Sequence, residues 1–171
     1  MAQQSSKSLR MFENNFLESL SHVHPATPAI IWVPVVSWMI WRAFAVHHLP
    51  VSTVAGMAVM GLFVWTLSEY VLHRWVFHFK GESKFAKRVH FMIHGVHHDA
   101  PDDATRLVMP PAAAFILAGV LYGIFRLPLG PVLVEPFFAF FLIGYLAYDY
   151  IHYYVHHFNP RTRAGKFIKQ N

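Results

Sequence analysis

VSTVAGMAVMGLFVWTLSEYVLHRWVFH, residues 51–78, is an apolar stretch that runs into histidines. Between Val51 and Leu72 the one charge is Glu69, and His73, Arg74 and His78 follow at once. A helix that crosses a bilayer needs about 20 mostly apolar residues, and this stretch supplies them. The rest of the chain agrees. Of its 171 residues 55% are apolar, and the mean hydropathy is +0.35, which is unusual for a soluble domain.

Three more apolar stretches flank it. Ala29 to Val46 contains Pro34 and one charge, Arg42. Val108 to Phe125 opens on Pro110-Pro111, a helix-start signal. Val132 to Tyr148 has Glu135 near its beginning and Asp149 at its end. It is the weakest span of the four and fits a re-entrant segment as well as a crossing. His47-His48-Leu49-Pro50 joins the first pair and Arg126–Pro131 (RLPLGP) the second. Both connections are short, so each pair reads as a helical hairpin. Trp32, Trp38, Trp41, Trp65 and Trp75 partly suit interfacial belts. The fold class expected is an all-α integral membrane protein with four transmembrane helices in two hairpins.

Charge orients these helices. The segment Phe79–Leu107 carries Lys80, Lys84, Lys87, Arg88 and Arg106, and the tail carries Arg161, Arg163, Lys166 and Lys169. By the positive-inside rule both are cytoplasmic, together with the N-terminal segment 1–28. That segment is polar, with a short amphipathic helix possible around Leu9–Leu20 and no signal-peptide pattern. Residues 29–171 form the membrane-embedded domain. The net charge of +5 is spread too thinly to suggest nucleic acid. With no cysteine in the chain, disulfides, iron–sulfur clusters and thiolate zinc sites are excluded.

Eight of the thirteen histidines fall into three groups, His73/His78, His94/His97/His98 and His152/His156/His157. In the four-crossing topology all three share the cytoplasmic side, as a His-rich metal-binding cap. Neutral imidazole is the commonest protein metal ligand. His94, His97 and His98 stand at i, i+3 and i+4, one face of a helix, and His90 could join them or be solvated. His152 and His156 are again one turn apart, while His157 points elsewhere. Asp149 precedes His152 by three residues and can accept its ring N–H or ligate directly. His73 and His78, five apart, diverge by about 140° on a straight helix, so they share a site only if the helix ends between them. Glu69, one turn before His73 and inside an apolar stretch, is a candidate to orient it; a capping acid is the plainer reading. His22, His24, His47 and His48 read as interfacial or solvated.

Seven or eight imidazoles exceed one tetrahedral set, so two nearby transition-metal ions are expected. Imidazole suits iron, zinc, copper or nickel without choosing between them. No Glu-x-x-His occurs, which disfavours the soluble di-iron bundles. A dinuclear site at the lipid boundary, fed by O2, could attack an unreactive C–H bond.

Glu69-Tyr70-Val71-Leu72-His73-Arg74-Trp75-Val76-Phe77-His78, His94-Gly95-Val96-His97-His98, Arg106-Leu107-Val108-Met109-Pro110-Pro111 and Tyr148-Asp149-Tyr150-Ile151-His152-Tyr153-Tyr154-Val155-His156-His157 carry a resemblance. From about Ser68 onward the chain resembles the fatty acid 2-hydroxylase branch of the sterol desaturase/fatty acid hydroxylase superfamily. The resemblance implies O2-dependent hydroxylation at C2 of an acyl chain, free or in a sphingolipid. It implies ligand roles for His73, His78, His94, His97, His98, His152 and His156, with iron expected for activity and zinc possible as the bound metal. Glu69 and Asp149 are the supporting carboxylates. An external electron donor, a cytochrome b5 or ferredoxin system, is implied, in a bacterial inner membrane or the endoplasmic reticulum. The family carries a further HxxHH shortly after a segment like Lys166–Asn171, so the domain is expected to be incomplete at its C-terminus. Competing readings are a sterol or carotenoid hydroxylase or desaturase of the same superfamily, a membrane metal transporter or sensor, and a structural membrane protein.

Overall fold

The computed structural model describes residues 13–15, 18, 19, 22–71, 74, 105 and 108–157, with side chains as far as Val155. Among the described residues there is no strand. Three long helices appear: α1 (Thr27–Ala45), α2 (Val51–Val71) and α3 (Pro111–His157). Each is long and apolar enough to cross a membrane. The all-helical, membrane-spanning expectation therefore holds. In lipid every backbone N–H and C=O must be satisfied internally, and helices do so within one segment.

The chain divides into two compact units. Of the described residues, Ala26–Val71, Arg74 and Met109–Ala147 belong to one, which we call the helical unit. Those before Ala26, with Thr105, Val108 and residues 148–157, belong to the other.

α3 has 47 residues and is broken at one point, Gly130, whose φ of 70° and ψ of 177° are not helical. Glycine tolerates that conformation because it has no Cβ to clash. Pro131 follows, where a missing N–H costs nothing at the start of a new helix. The expected connection Arg126–Pro131 is thus narrower than its sequence suggests, and the residues around Gly130 are helical. The ring contacts show what the break does. Tyr122 and Phe138 have centroids 5.4 Å apart, and Phe125 lies 5.4 Å from Phe141. Sixteen residues of straight helix would separate such pairs by about 24 Å. The two arms of α3 therefore fold back along each other.

The helical unit is packed around the second arm. α1 buries Pro28, Trp32, Val36, Met39 and Ala43, a stripe at spacings of three and four that faces one way. Trp32 meets Phe115 of the first arm at 5.3 Å. Phe137, Phe138, Phe141 and Leu142 of the second arm complete the core. α2 is apolar all round, yet only Val54 and Gly61 are fully buried. Val51, Val59 and Phe63 face outward, as lipid-facing residues do. α2 approaches the second arm through two glycines. A Cβ on Gly61 would collide with the Phe137 carbonyl, and one on Gly144 would lie 2.6 Å from the Trp65 ring. Small residues permit such close backbone approach between membrane helices.

Gly61→Ala should therefore lower stability by about 3 kcal/mol, because the obstructing atom is backbone and cannot swing aside. Gly56→Ala, on an open part of the same helix, should leave it unchanged or raise it slightly. Unfolding of the detergent-solubilised protein checks both, and equal effects would contradict the packing described.

Candidate metal centre

Asp149 lies on the second arm of α3, three residues before His152 and seven before position 156. At 100° per residue these three positions fall within about 60° of one another. Position 157 lies about 80° away from Asp149. Asp149 is 8% exposed, whereas Ile151 and Tyr154, on the opposite face, are exposed. An acid buried to this degree on an apolar helix is a functional candidate in its own right. His152 is half-buried, and its ring stacks on Tyr148 with centroids 5.9 Å apart and planes 15° from parallel. Tyr150 donates its hydroxyl to the Pro25 carbonyl at 3.0 Å. The Tyr150 bond ties the end of α3 to the segment before α1.

Glu69 sits on the last turns of α2 in the helical unit, half-buried, with its Oε1 atom out of contact with solvent. Arg74 lies just beyond and donates to the Tyr70 hydroxyl at 2.5 Å. Of the other predicted site residues, His156 and His157 are placed as backbone within α3. His73, His78, His90, His94, His97 and His98 lie outside the described residues. Among the described residues no three His, Cys, Asp or Glu side chains are grouped as a metal site would need. The donors that are described, a buried carboxylate and an imidazole on one face, suit a borderline cation such as iron or zinc.

His47, expected to be interfacial or solvated, lies in the connection between α1 and α2 and is not solvated: its side chain is 16% exposed and belongs to a cluster with Arg42 and Glu135. Arg42 Nη2 stands 3.0 Å from Glu135 Oε1 and donates to His47 Nε2 at 3.3 Å. Glu135 Oε2 lies 3.3 Å from the same imidazole nitrogen, close but not aligned as a hydrogen bond. The guanidinium also covers the Trp38 ring at 4.8 Å. The backbone builds the corner that delivers His47. His47 N–H donates to the Arg42 carbonyl at 2.9 Å, Leu49 N–H donates to the Ala43 carbonyl at 3.0 Å, and His48 takes a φ of 48°. The signal was present in the sequence: one cation and one anion, each near the end of an apolar stretch, are expensive alone and cheaper together. His22, expected to be solvated, is exposed and bonded to Thr105 Oγ1 through Nδ1 at 2.6 Å.

Long apolar helices, one of them ending in a buried acid and a half-buried imidazole, define a membrane protein with a candidate metal centre at a helix end. The fatty acid hydroxylase family matches residues 58–171, and the chain belongs to that family. It is 39% identical over 162 residues to a dihydroceramide fatty acyl 2-hydroxylase of Arabidopsis thaliana, covering 94% of this chain and 68% of the relative. It is 37% identical over 171 residues to the fatty acid 2-hydroxylase of Homo sapiens, covering 89% of this chain and 46% of the relative. A solved structure of full-length Scs7p, with only its hydroxylase domain visible, matches at a TM-score of 0.83 and 36% identity, over 91% of this chain and 59% of that one. The chain thus spans about half the length of the human relative and three-fifths of the Scs7p chain.

Two sets of substitutions separate structure from metal binding. Arg42→Met leaves Glu135 buried without its cation and should cost about 3 kcal/mol of stability, with bound metal unchanged. His152→Ala should do the reverse, lowering metal content with little effect on unfolding. Elemental analysis beside a melting curve reads both, and equal metal loss in the two variants would remove the distinction.

Proposed function

We propose that this chain carries out O2-dependent hydroxylation of a lipid acyl chain at C2, the acyl group belonging to a free fatty acid or a sphingolipid. The observation that carries this reading is its likeness, over most of its length, to acyl 2-hydroxylases of plants and animals and to a ceramide very long chain fatty acid hydroxylase of yeast. In the reaction one oxygen atom of O2 enters the C–H bond and the other leaves as water. Two electrons and two protons come from a donor outside the domain, a cytochrome b5 or a ferredoxin system.

His73, His78, His94, His97, His98, His152 and His156 would hold two metal ions, iron for activity. When bound, the metal supplies the oxidant that a saturated C–H bond requires. The chain's own residues do the rest. Asp149, buried and three residues before His152, would accept an imidazole N–H and so set which ring nitrogen is free to ligate. Glu69, one turn before His73, has the same office on α2. The apolar outer faces of α2 and α3 keep the acyl chain among lipid-like surroundings and away from bulk water.

Topology supports the site. A 47-residue helix would measure about 70 Å, more than twice the hydrocarbon thickness of about 30 Å. Folded at Gly130, its arms can each cross once, giving four crossings with α1 and α2. The Lys and Arg residues of segments 79–107 and 158–171 then place the histidine groups on the cytoplasmic side, in a bacterial inner membrane or the endoplasmic reticulum. Single cysteines at Ser83 and Ser52 should label from opposite sides; labelling from the same side would separate the histidine groups and end the site model.

Expression in a host lacking 2-hydroxylated lipids, with O2 and a working donor, tests the activity. Mass spectrometry of hydrolysed acyl chains should show a 2-hydroxy product from a form that includes any flanking sequence of the natural protein. His97→Ala and His152→Ala should each lower it by a factor of about 100. A metal-loaded protein that yields no 2-hydroxy acid but oxidises sterols or carotenoids would replace this reading with the other branch of the superfamily.

A further inference from the structure

Residues 22–25 precede α1 and make three bonds that reach far along the chain. Val23 N–H donates to the Thr105 carbonyl at 2.8 Å. His22 Nδ1 lies 2.6 Å from Thr105 Oγ1, so consecutive residues grip both the backbone and the side chain of Thr105. Pro25 offers its carbonyl to the Tyr150 hydroxyl at 3.0 Å. Val23 is 5% exposed, so its backbone bond is shielded from water, while the His22 side chain reaches Thr105 at the surface. His22 is itself steadied by Glu18, whose Oε1 lies 3.7 Å from Nε2.

The two points held are not arbitrary. Thr105 is seven residues beyond His98, the last of the second histidine group. Tyr150 stands between Asp149 and His152. One short segment therefore fastens the chain just after one set of candidate ligands and within another. A carboxylate and imidazoles can serve a metal only if their carriers keep a fixed mutual setting, and supporting contacts of this kind matter nearly as much as the ligands.

We propose that residues 22–25 are a strap that sets the position of Thr105 and of the Asp149–His152 end of α3, with His22, Thr105 and Tyr150 as positioning residues for the metal centre. The strap touches neither substrate nor metal; it acts through the segments it holds. This inference rests on the hydroxylase reading given above, because it assigns the strap to that metal centre.

The chain has no cysteine, so an engineered pair reports only on itself. His22→Cys with Thr105→Cys should form an internal disulfide on mild oxidation of the detergent-solubilised protein, seen as a mobility shift that reductant reverses. Thr105→Val and Tyr150→Phe, combined in the uncrosslinked protein, should speed loss of bound metal to a chelator by about tenfold. They should lower kcat with little change in KM, and leave the melting midpoint of the helices in place. Thr105→Ser, which keeps the hydroxyl, should behave as the wild type. Absence of the disulfide would overturn the strap. A disulfide with unchanged chelator kinetics and kcat in the double variant would overturn its positioning role, as would a Thr105→Ser protein that behaves like Thr105→Val. A disulfide in the double-cysteine variant, with no metal held by the cysteine-free wild type, would overturn the hydroxylase reading and this inference with it.

Discussion

Gly61 brings the backbone of α2 against the backbone of the second arm of α3 with no side chain between them. In lipid there is little hydrophobic drive to press two apolar helices together, so their adhesion comes from close packing. The approach at Gly61 and the seat of Trp65 over Gly144 are where that packing is tightest. Trp65 then reaches Phe141 at 5.2 Å and Tyr145 at 5.6 Å, both edge-on. Such pairs add about 0.5–1.5 kcal/mol each beyond the area they cover. The break at Gly130 has to come where it does for the same reason. It returns the chain so that Phe125 nests among Phe137, Phe138 and Phe141.

The Arg42, Glu135 and His47 cluster closes the helical unit at a place where apolar packing alone would not choose a partner. Leucines and phenylalanines tolerate a rotated or shifted neighbour, since most apolar contacts are interchangeable. A carboxylate that is 5% exposed is not so tolerant, because moving away from its cation leaves a buried charge unpaired. The cluster joins the end of α1, the α1–α2 connection and the second arm of α3. We therefore read it as a device for register. The left-handed His48 supports this, since a non-glycine residue holds that conformation only where its surroundings enforce it.

Much of this architecture was legible from hydropathy. Val51–Leu72 was read as a span, and the helix runs Val51–Val71. Ala29–Val46 was read as another, and the helix runs Thr27–Ala45, opening near Pro28. Pro110-Pro111 marked the start of α3 correctly. The narrow break was less legible. Arg126, Pro128, Gly130 and Pro131 together resemble a loop, yet proline residues are accommodated in membrane helices where neighbours satisfy the freed carbonyls. Of the candidate site, the helical spacing that puts Asp149 and His152 on one face was legible, since both lie on α3. The cluster at His47 was not read because Glu135 is 88 positions away: Arg42 and Glu135 each stood out as a charge in an apolar stretch, but no local pattern paired them with His47. The strap at 22–25 was missed for the same reason: backbone bonds to Thr105 leave no mark on composition.

The order of residues along the second arm of α3 shows how one helix can serve two media. From Val134 to Leu142 its residues are almost all buried, four of the nine being phenylalanine, as suits a helix enclosed by other helices. Past Tyr148 the pattern changes to tyrosines and histidines with one acid. Tyrosine suits a boundary, since its ring is at home in apolar surroundings while its hydroxyl seeks a partner, as Tyr150 finds one at Pro25. Asp149 falls at this change and is buried. A carboxylate there stays near water-rich surroundings, which limits the cost of its charge, yet is screened well enough for its hydrogen bonds to be directional. In the function proposed above, the ligands would have to lie where an acyl chain and an external electron donor can both come near, and a helix whose apolar packing gives way within one turn to acid and imidazole would suit that need.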